Sequence, residues 1–148
     1  MRPYHPALRE LFGYALYRSG MHFRCMLAEV LEEDHIVPPQ LAILTVLKSG
    51  ASFNQIQLAE ELGIDRASMV KFIDGLESCG LVERTPDEKD RRARLLRLTG
   101  KGRRKYESLR KKELAVEDQF LSGLDQTEKD ALRALLLKLS SQIGSSKP

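Results

Sequence analysis

The 148-residue chain contains no tryptophan and only two cysteines, Cys25 and Cys79. Two cysteines so far apart supply neither a disulfide framework nor a paired Cys-x-x-Cys metal knuckle, so we expect both to be reduced thiols. The amino terminus lacks the apolar core of a signal peptide, and no apolar run approaches the length needed to cross a membrane. These absences predict a cytoplasmic protein that has no membrane partner.

The common signatures of enzyme chemistry are missing as well. No serine or cysteine nucleophile stands with a placed histidine, and the chain has neither a glycine-rich phosphate loop nor a Walker pattern. His22, Cys25 and Glu29 share a helical face at i, i+3 and i+7, a spacing compatible with metal binding. Such sets arise readily by chance and no fourth ligand is apparent, so we expect no catalytic residue, no cofactor and no metal.

The charges of the chain are unevenly distributed, although the net charge is only +3. Acidic residues cluster between Glu29 and Asp34, whereas basic residues cluster between Arg84 and Arg104. A one-sided basic patch indicates a nucleic-acid partner more strongly than the sum of the charges does.

Helical periodicity dominates the first third of the chain. Apolar residues recur at helical spacing over residues 7–34, with Gly20 as a weak point, and predict one long first helix. Pro38 then opens a second helix, which we expect to end at residues 49–50.

Two short helices at helix-turn-helix spacing come next. Asn54 and Gln57 form a capping box that starts the first helix, and Gly63 supplies the turn between the two. Asp65 caps the second helix. Its buried face is predicted from the apolar spacing of Met69, Phe72, Ile73 and Leu76.

A basic hairpin follows these helices directly. We predict two strands, residues 81–85 and 93–98, joined by a loop in which Pro86, Asp87 and Asp90 supply the turn chemistry. Arginines gather around its tip, and duplex DNA is the densest anionic surface that such a hairpin could meet.

Two further helices complete the chain. Thr99 is expected to cap a long helix that ends at residues 122–123, and Asp125 with Glu128 forms a second capping box that opens the last helix. Both helices are more apolar than a small helical cap needs, so together with the first helix they make a plausible interface. The tail, residues 144–148, is predicted to fray.

The helix pair and the hairpin together resemble the winged-helix domain of the MarR family of transcriptional regulators. The matching segments are QLAEELGI (57–64), LESCGLVER (76–84), DRR (90–92) and LRLTGKG (96–102). The Asp-Arg-Arg and Leu-x-Leu-Thr-x-x-Gly spacings are specific to the wing of that family, and the flanking helices have the family's order and length. The resemblance implies a mainly α fold with a small β-hairpin wing, a winged helix-turn-helix carrying N- and C-terminal dimerisation helices.

The same resemblance implies an organisation and a mode of action. Residues 1–36 and 104–148 would form a symmetric dimer, and residues 37–103 would bind DNA, within one structural domain overall. The protein would bind a pseudo-palindromic operator, as a repressor like many relatives, and a small molecule, often aromatic, would release it. Candidates for the effector cleft are Tyr14, Tyr17, His22 and Phe23, which serve equally well as core or interface residues.

The second helix of the pair would enter the major groove with its first turns nearest the bases. Arg66 or Lys71 could donate to guanine, Ser68 could donate or accept, and Ala67 with Val70 could pack on thymine methyl groups. Relatives commonly carry hydroxyl residues at the positions of Ala67 and Val70 and arginine at that of Lys71. We therefore expect a different or more thymine-rich half-site.

The wing would reach an adjacent minor groove, where narrow A·T tracts concentrate negative potential. By resemblance Arg92 is the inserting residue, and Asp90 holds its guanidinium through a charge-assisted hydrogen bond. Arg91 and Arg94 are the other candidates.

Two alternatives remain open at this point. In one, a redox or metal signal acts through Cys25 or Cys79. The peroxide-sensing branch of the family carries its cysteine at the position of Gly13, which argues against sensing of that kind. In the other, the winged helix is a protein-interaction adaptor that no longer reads DNA, an alternative that the intact segment 90–92 disfavours.

Overall fold

The computed structural model describes residues 5–8, 10–87 and 94–143, with side chains up to residue 141. Within these ranges the chain forms six α-helices and three short strands. In chain order they are α1 Phe12–Leu31, α2 Pro38–Lys48, β1 Phe53–Asn54, α3 Gln55–Leu62, α4 Arg66–Ser78, β2 Val82–Pro86, β3 Arg94–Leu98, α5 Gly100–Phe120 and α6 Gln126–Ile143. The predicted class, mainly α with a small hairpin, is confirmed.

Local hydrogen bonds start the helices where the sequence predicts. Asn54 Oδ1 accepts from the backbone N–H of Gln57 at 2.9 Å, and Gln57 Oε1 accepts from that of Asn54 at 3.0 Å. Gly63 ends α3 at φ +61°, a left-handed conformation that favours glycine. Asp65 Oδ1 accepts from Ser68 N at 2.9 Å, and Asp125 caps α6 through the predicted box with Glu128.

The first helix is shorter than predicted. A 3-10 turn, Pro6–Leu8, precedes α1, and a second 3-10 turn, Glu32–Asp34, follows it. Leu11 stands at the N-cap in an extended conformation and makes no side-chain capping bond. The apolar pattern includes Leu8 in the first of these turns, whereas Glu32–Asp34 contains no apolar residue, so the pattern did not locate either end of the α-helix. Gly20, in contrast, lies inside an unbroken α1.

The three strands form one antiparallel sheet in the order β1-β3-β2. The predicted hairpin is confirmed from the pair Val82 and Leu98 at its base to the pair Pro86 and Arg94. The first strand begins one residue later than predicted, and residue 93, the predicted start of the second, lies outside the described residues. The third strand, β1, was missed. It has two residues and is recognisable only from its pairing of Phe53 with Leu96 on β3.

The core lies where α1, α2, α3, α4, the sheet and α5 meet. Its most completely buried side chains are Leu31, Leu41, Ile43, Leu44, Leu58, Met69, Ile73, Leu76, Leu96 and Leu109. The predicted apolar face of α4 is part of this core, with Phe72 half-buried beside it. None of the described helices is both long enough and apolar enough to span a membrane.

A tight junction joins α4, the hairpin and α5. Gly80 adopts φ +68° and turns the chain out of α4 into β2. The Thr99 hydroxyl donates to the Gly80 carbonyl at 2.7 Å and accepts from Gly102 N at 2.9 Å. A Cβ placed on Gly102 would lie 2.0 Å from the Leu81 carbonyl oxygen. The glycine of the Leu-x-Leu-Thr-x-x-Gly motif therefore allows α5 to pack directly on the backbone of the hairpin.

We predict that Gly102→Ala lowers the free energy of unfolding by about 1–3 kcal/mol, because backbone must move to admit the methyl group. The matched control is Gly100→Ala, since a Cβ there meets only the end of the Arg104 side chain at 3.8 Å. This control should leave stability unchanged or raise it by up to about 1 kcal/mol. Urea denaturation of both variants checks the prediction, and equal effects would contradict it.

Ion pairs tie the end of α1 to α5. The Asp34 carboxylate, almost buried, accepts from Lys105 Nζ at 2.6 Å and lies 2.8 Å from Lys112 Nζ. The hydrogen bonds from Lys105 and Lys112, the former the larger influence, hold the pKa of Asp34 below its ordinary value of 3.8. The ionised carboxylate thus stabilises the folded chain, and that contribution disappears as pH falls through the lowered pKa.

At neutral pH we expect Asp34→Asn to unfold more easily than the wild type by about 1 kcal/mol. The difference should shrink as pH falls from 3.8 through the folded-state pKa, because the wild-type carboxyl is then protonated. Glu32→Gln is the control, since Glu32 is exposed and forms no ion pair with another described residue. A difference independent of pH from 7 to 2 would refute the role of the ionised group.

Candidate nucleic-acid interface

The outer face of α4 carries the side chains predicted to read DNA. Arg66, Ala67 and Lys71 are exposed, and Val70 is 39% exposed, a large fraction for an apolar residue. Ser68 is half-buried beside its cap, Asp65. Hydrogen bonds from Ser68 to Asp65 lower the pKa of that carboxyl, so the cap is ionised at neutral pH. The structure therefore presents these residues to solvent, and their roles toward DNA remain predictions.

The wing is described in part. Asp90, Arg91 and Arg92 lie outside the described residues. Arg94, the first residue of β3, is exposed opposite Pro86, and by strand alternation it is on the same face of the sheet as buried Leu96. That face is turned toward the helices.

Arg84 differs from the other basic residues of the hairpin. It belongs to the basic cluster between Arg84 and Arg104, but its side chain turns inward from β2. Arg84 Nη2 lies 2.6 Å from Asp74 Oδ1, and Arg84 Nη1 donates to Glu77 Oε2. Arg84 Nη2 also donates to Gln55 Oε1 on α3 at 3.4 Å. These acidic partners, chiefly Asp74, raise the pKa of Arg84 above its ordinary value, so the guanidinium is always charged.

Two of the following lysines are also used inside the fold. Lys101 Nζ donates to the Cys79 carbonyl at the end of α4 at 2.7 Å, and Lys105 binds Asp34. Between residues 66 and 104, six described cations form neither an ion pair nor a side-chain hydrogen bond with another described residue. They are Arg66, Lys71, Arg94, Arg97, Arg103 and Arg104. These six supply the described positive charge available to an anionic partner.

The candidate effector residues do not share one cavity. Phe23 packs edge-on against Phe120, with ring centroids 5.4 Å apart, and the His22 ring lies 5.9 Å from the same phenyl ring. Phe23 and Phe120 line a groove of about 600 Å³ between α1, α5 and α6. The rings of Tyr14 and Tyr17 are tilted by 42° with their centroids 6.4 Å apart, and neither they nor His22 line that groove.

The cysteines and the candidate metal ligands lie in the described part of the chain. Cys25 and Cys79 are free thiols and both are exposed, so neither serves as a small apolar core residue. In the described ranges, no group of three His, Cys, Asp or Glu side chains is arranged to hold a metal ion, and His22, Cys25 and Glu29 form no such group.

A helix-turn-helix followed by a charged antiparallel hairpin defines the winged helix-turn-helix class of DNA-binding domains. Comparison with known proteins identifies the family. The MarR family model matches residues 36–93. The HTH-type transcriptional repressor MdtR of Bacillus subtilis (strain 168) is 33% identical over 106 residues, which cover 72% of this chain and 67% of that protein.

Solved structures agree over nearly the whole length. The transcriptional repressor CouR, bound to a 23-mer DNA duplex, is 31% identical and superposes with a TM-score of 0.85, covering 95% of this chain and 99% of that chain. A MarR-family transcriptional regulator from Rhodococcus sp. RHA1 is 27% identical, with a TM-score of 0.82 over 91% and 96% of the two chains. This chain belongs to the MarR family of transcriptional regulators.

Proposed function

We propose that this protein is a dimeric repressor that binds a pseudo-palindromic operator and leaves it when a small aromatic molecule binds. The observation that carries the proposal is the exposed outer face of α4, with two unpaired cations, next to a hairpin whose second strand, β3, carries the exposed Arg94. Arg66, Ala67, Ser68, Val70 and Lys71 would read the major groove, and the wing residues Asp90, Arg91, Arg92 and Arg94 would reach the minor groove.

Exposed apolar surface on the terminal helices supports the dimer. On α6, Leu135 is 60% and Leu137 is 65% exposed in the single chain, and on α1 Phe12 and Tyr17 are exposed to a similar degree. Such leucines need a partner to leave water, and burying one is worth about 1.5–3 kcal/mol. A second copy related by a two-fold axis would cover them and set two recognition helices about 34 Å apart, one turn of DNA.

Relatives support repression as the outcome. MdtR and CouR are each described as repressors, and CouR is seen on a DNA duplex. Occupation of a promoter by a dimer of this shape would block transcription sterically.

Binding to a duplex that spans the upstream region of the gene, measured across salt concentration, tests the proposal. We expect two chains per duplex and a steep negative log-log salt slope, because several phosphates are neutralised. Lys71→Ala and Arg92→Ala should each weaken binding by about five- to a hundredfold. The control, Lys111→Ala, removes an exposed α5 cation outside the proposed interface and should change affinity little. Equal, weak binding to every duplex, including duplexes selected from random sequence, would refute the proposal.

Release by an effector is proposed from the aromatic contact of Phe23 with Phe120. These rings line the groove where α1, α5 and α6 meet, so a planar molecule inserted beside them would change how the dimer helices pack. Only a molecule with different affinities for the DNA-bound and free conformations can act in this way.

We expect 4-hydroxybenzoate, as a simple aromatic probe, to lower duplex affinity in a saturable manner. Phe23→Leu should raise the half-effective concentration by about tenfold, because it keeps apolar volume but removes the ring contact. Tyr106→Leu is the matched control, since it removes a half-buried ring of α5 that packs against the core and does not line the groove. Release that is the same in all three proteins would contradict the proposed site, and lack of release by a wider set of aromatic acids would contradict aromatic sensing.

A further inference from the structure

Arg84 joins three elements of the DNA-binding unit through one side chain. From β2 it contacts Asp74 and Glu77 on α4 through different guanidinium nitrogens, and Gln55 on α3 through a third, longer bond. Asp74 and Glu77 are three residues apart, so they share one side of the helix. The two terminal nitrogens of the planar arginine fork reach separate acceptors, an arrangement that the compact ammonium of lysine would not reproduce.

The position of Asp74 makes this contact relevant to DNA. Asp74 stands three residues after Lys71 and seven after Ala67, so it extends the outward face of α4. Its side chain is 57% exposed. A carboxylate on this face repels phosphate unless a cation offsets it. Arg84 supplies that cation and at the same time attaches the wing strand to the recognition helix.

We propose that Arg84 is a positioning residue, which fixes the angle between the wing and α4 so that both enter neighbouring grooves together. The inference rests on the proposed function, since it concerns how DNA is bound. Arg84 itself does not contact phosphate in this arrangement, although it belongs to the basic hairpin.

Neutralising the acidic partners of Arg84 tests the proposal, because electrostatics alone and positioning predict opposite changes in the affinity for DNA. Asp74→Asn and Glu77→Gln each delete a negative charge near DNA and release a guanidinium, so electrostatics alone predicts tighter binding. Positioning predicts weaker binding, and for the double variant we expect a loss of about tenfold, a usual size for coupling between contacting groups.

Glu83→Gln is the matched control for the change in charge. Glu83 is the neighbour of Arg84 on β2, is exposed, and by strand alternation points to the other face of the sheet. It forms no ion pair with another described residue. This variant should bind the duplex as well as the wild type or more tightly. Urea denaturation establishes that all variants are folded at the temperature of the binding assay.

A coupling measurement separates positioning from a general loss of structure. If the wing is misplaced in Asp74→Asn/Glu77→Gln, Arg92→Ala should cost at least about threefold less affinity in that background than in the wild type. Lys71→Ala, which probes the recognition helix alone, should cost the same in both backgrounds.

The outcomes are distinct. Weaker binding of the double variant, unimpaired binding of Glu83→Gln and a reduced effect of Arg92→Ala would support the positioning role. Tighter or equal binding of the double variant would overturn it, and so would an undiminished effect of Arg92→Ala. If the wild type itself binds no duplex selectively, the proposed function fails first and the positioning role fails with it.

Discussion

The close contact between Gly102 and the Leu81 carbonyl is the constraint on which the arrangement of the DNA-binding unit depends. The end of α4, the base of both hairpin strands and the start of α5 meet there. The Leu81 carbonyl accepts from Thr99 N at 3.1 Å. Lys101 Nζ donates to the carbonyl of Cys79, the residue that caps the C-terminal end of α4. With no side chain at residue 102, these backbones approach within contact distance, so the wing leaves the core in a direction fixed by α4 and α5.

Charge is divided between two tasks in this region. Arg84, Lys101 and Lys105 lie among the basic residues but bind groups of the protein itself, which stabilises the junction and the attachment of the wing. The cations left unpaired lie on the outer face of α4, on β3 and on the first turn of α5. The low net charge of the protein therefore understates the positive potential available at the proposed interface.

The sequence predicted what depends on local spacing and missed what depends on distant partners. Capping boxes at Asn54 and Asp125 act within three residues, so they could be identified before the structure was known. Strand β1 exists only through its pairing with β3, and the inward turn of Arg84 depends on carboxylates on another helix. Nothing in the neighbouring residues of Arg84 distinguishes it from Arg94. The sequence of α6 contains more leucine than a small helical cap needs, but only the structure shows that these leucines are exposed and lie outside the core.

We propose that a dimer places two such units on one face of DNA, and hydroxyl-radical footprinting on a duplex selected by the wild-type protein is the measurement of choice for this arrangement. We expect two clusters of protected sugars, related by symmetry about the centre of the site. Their recognition centres should be about one helical turn apart, and each cluster should extend into a flanking minor groove contacted by a wing. A single unsymmetrical cluster, or two clusters without protection of the flanking minor grooves, would rule this arrangement out.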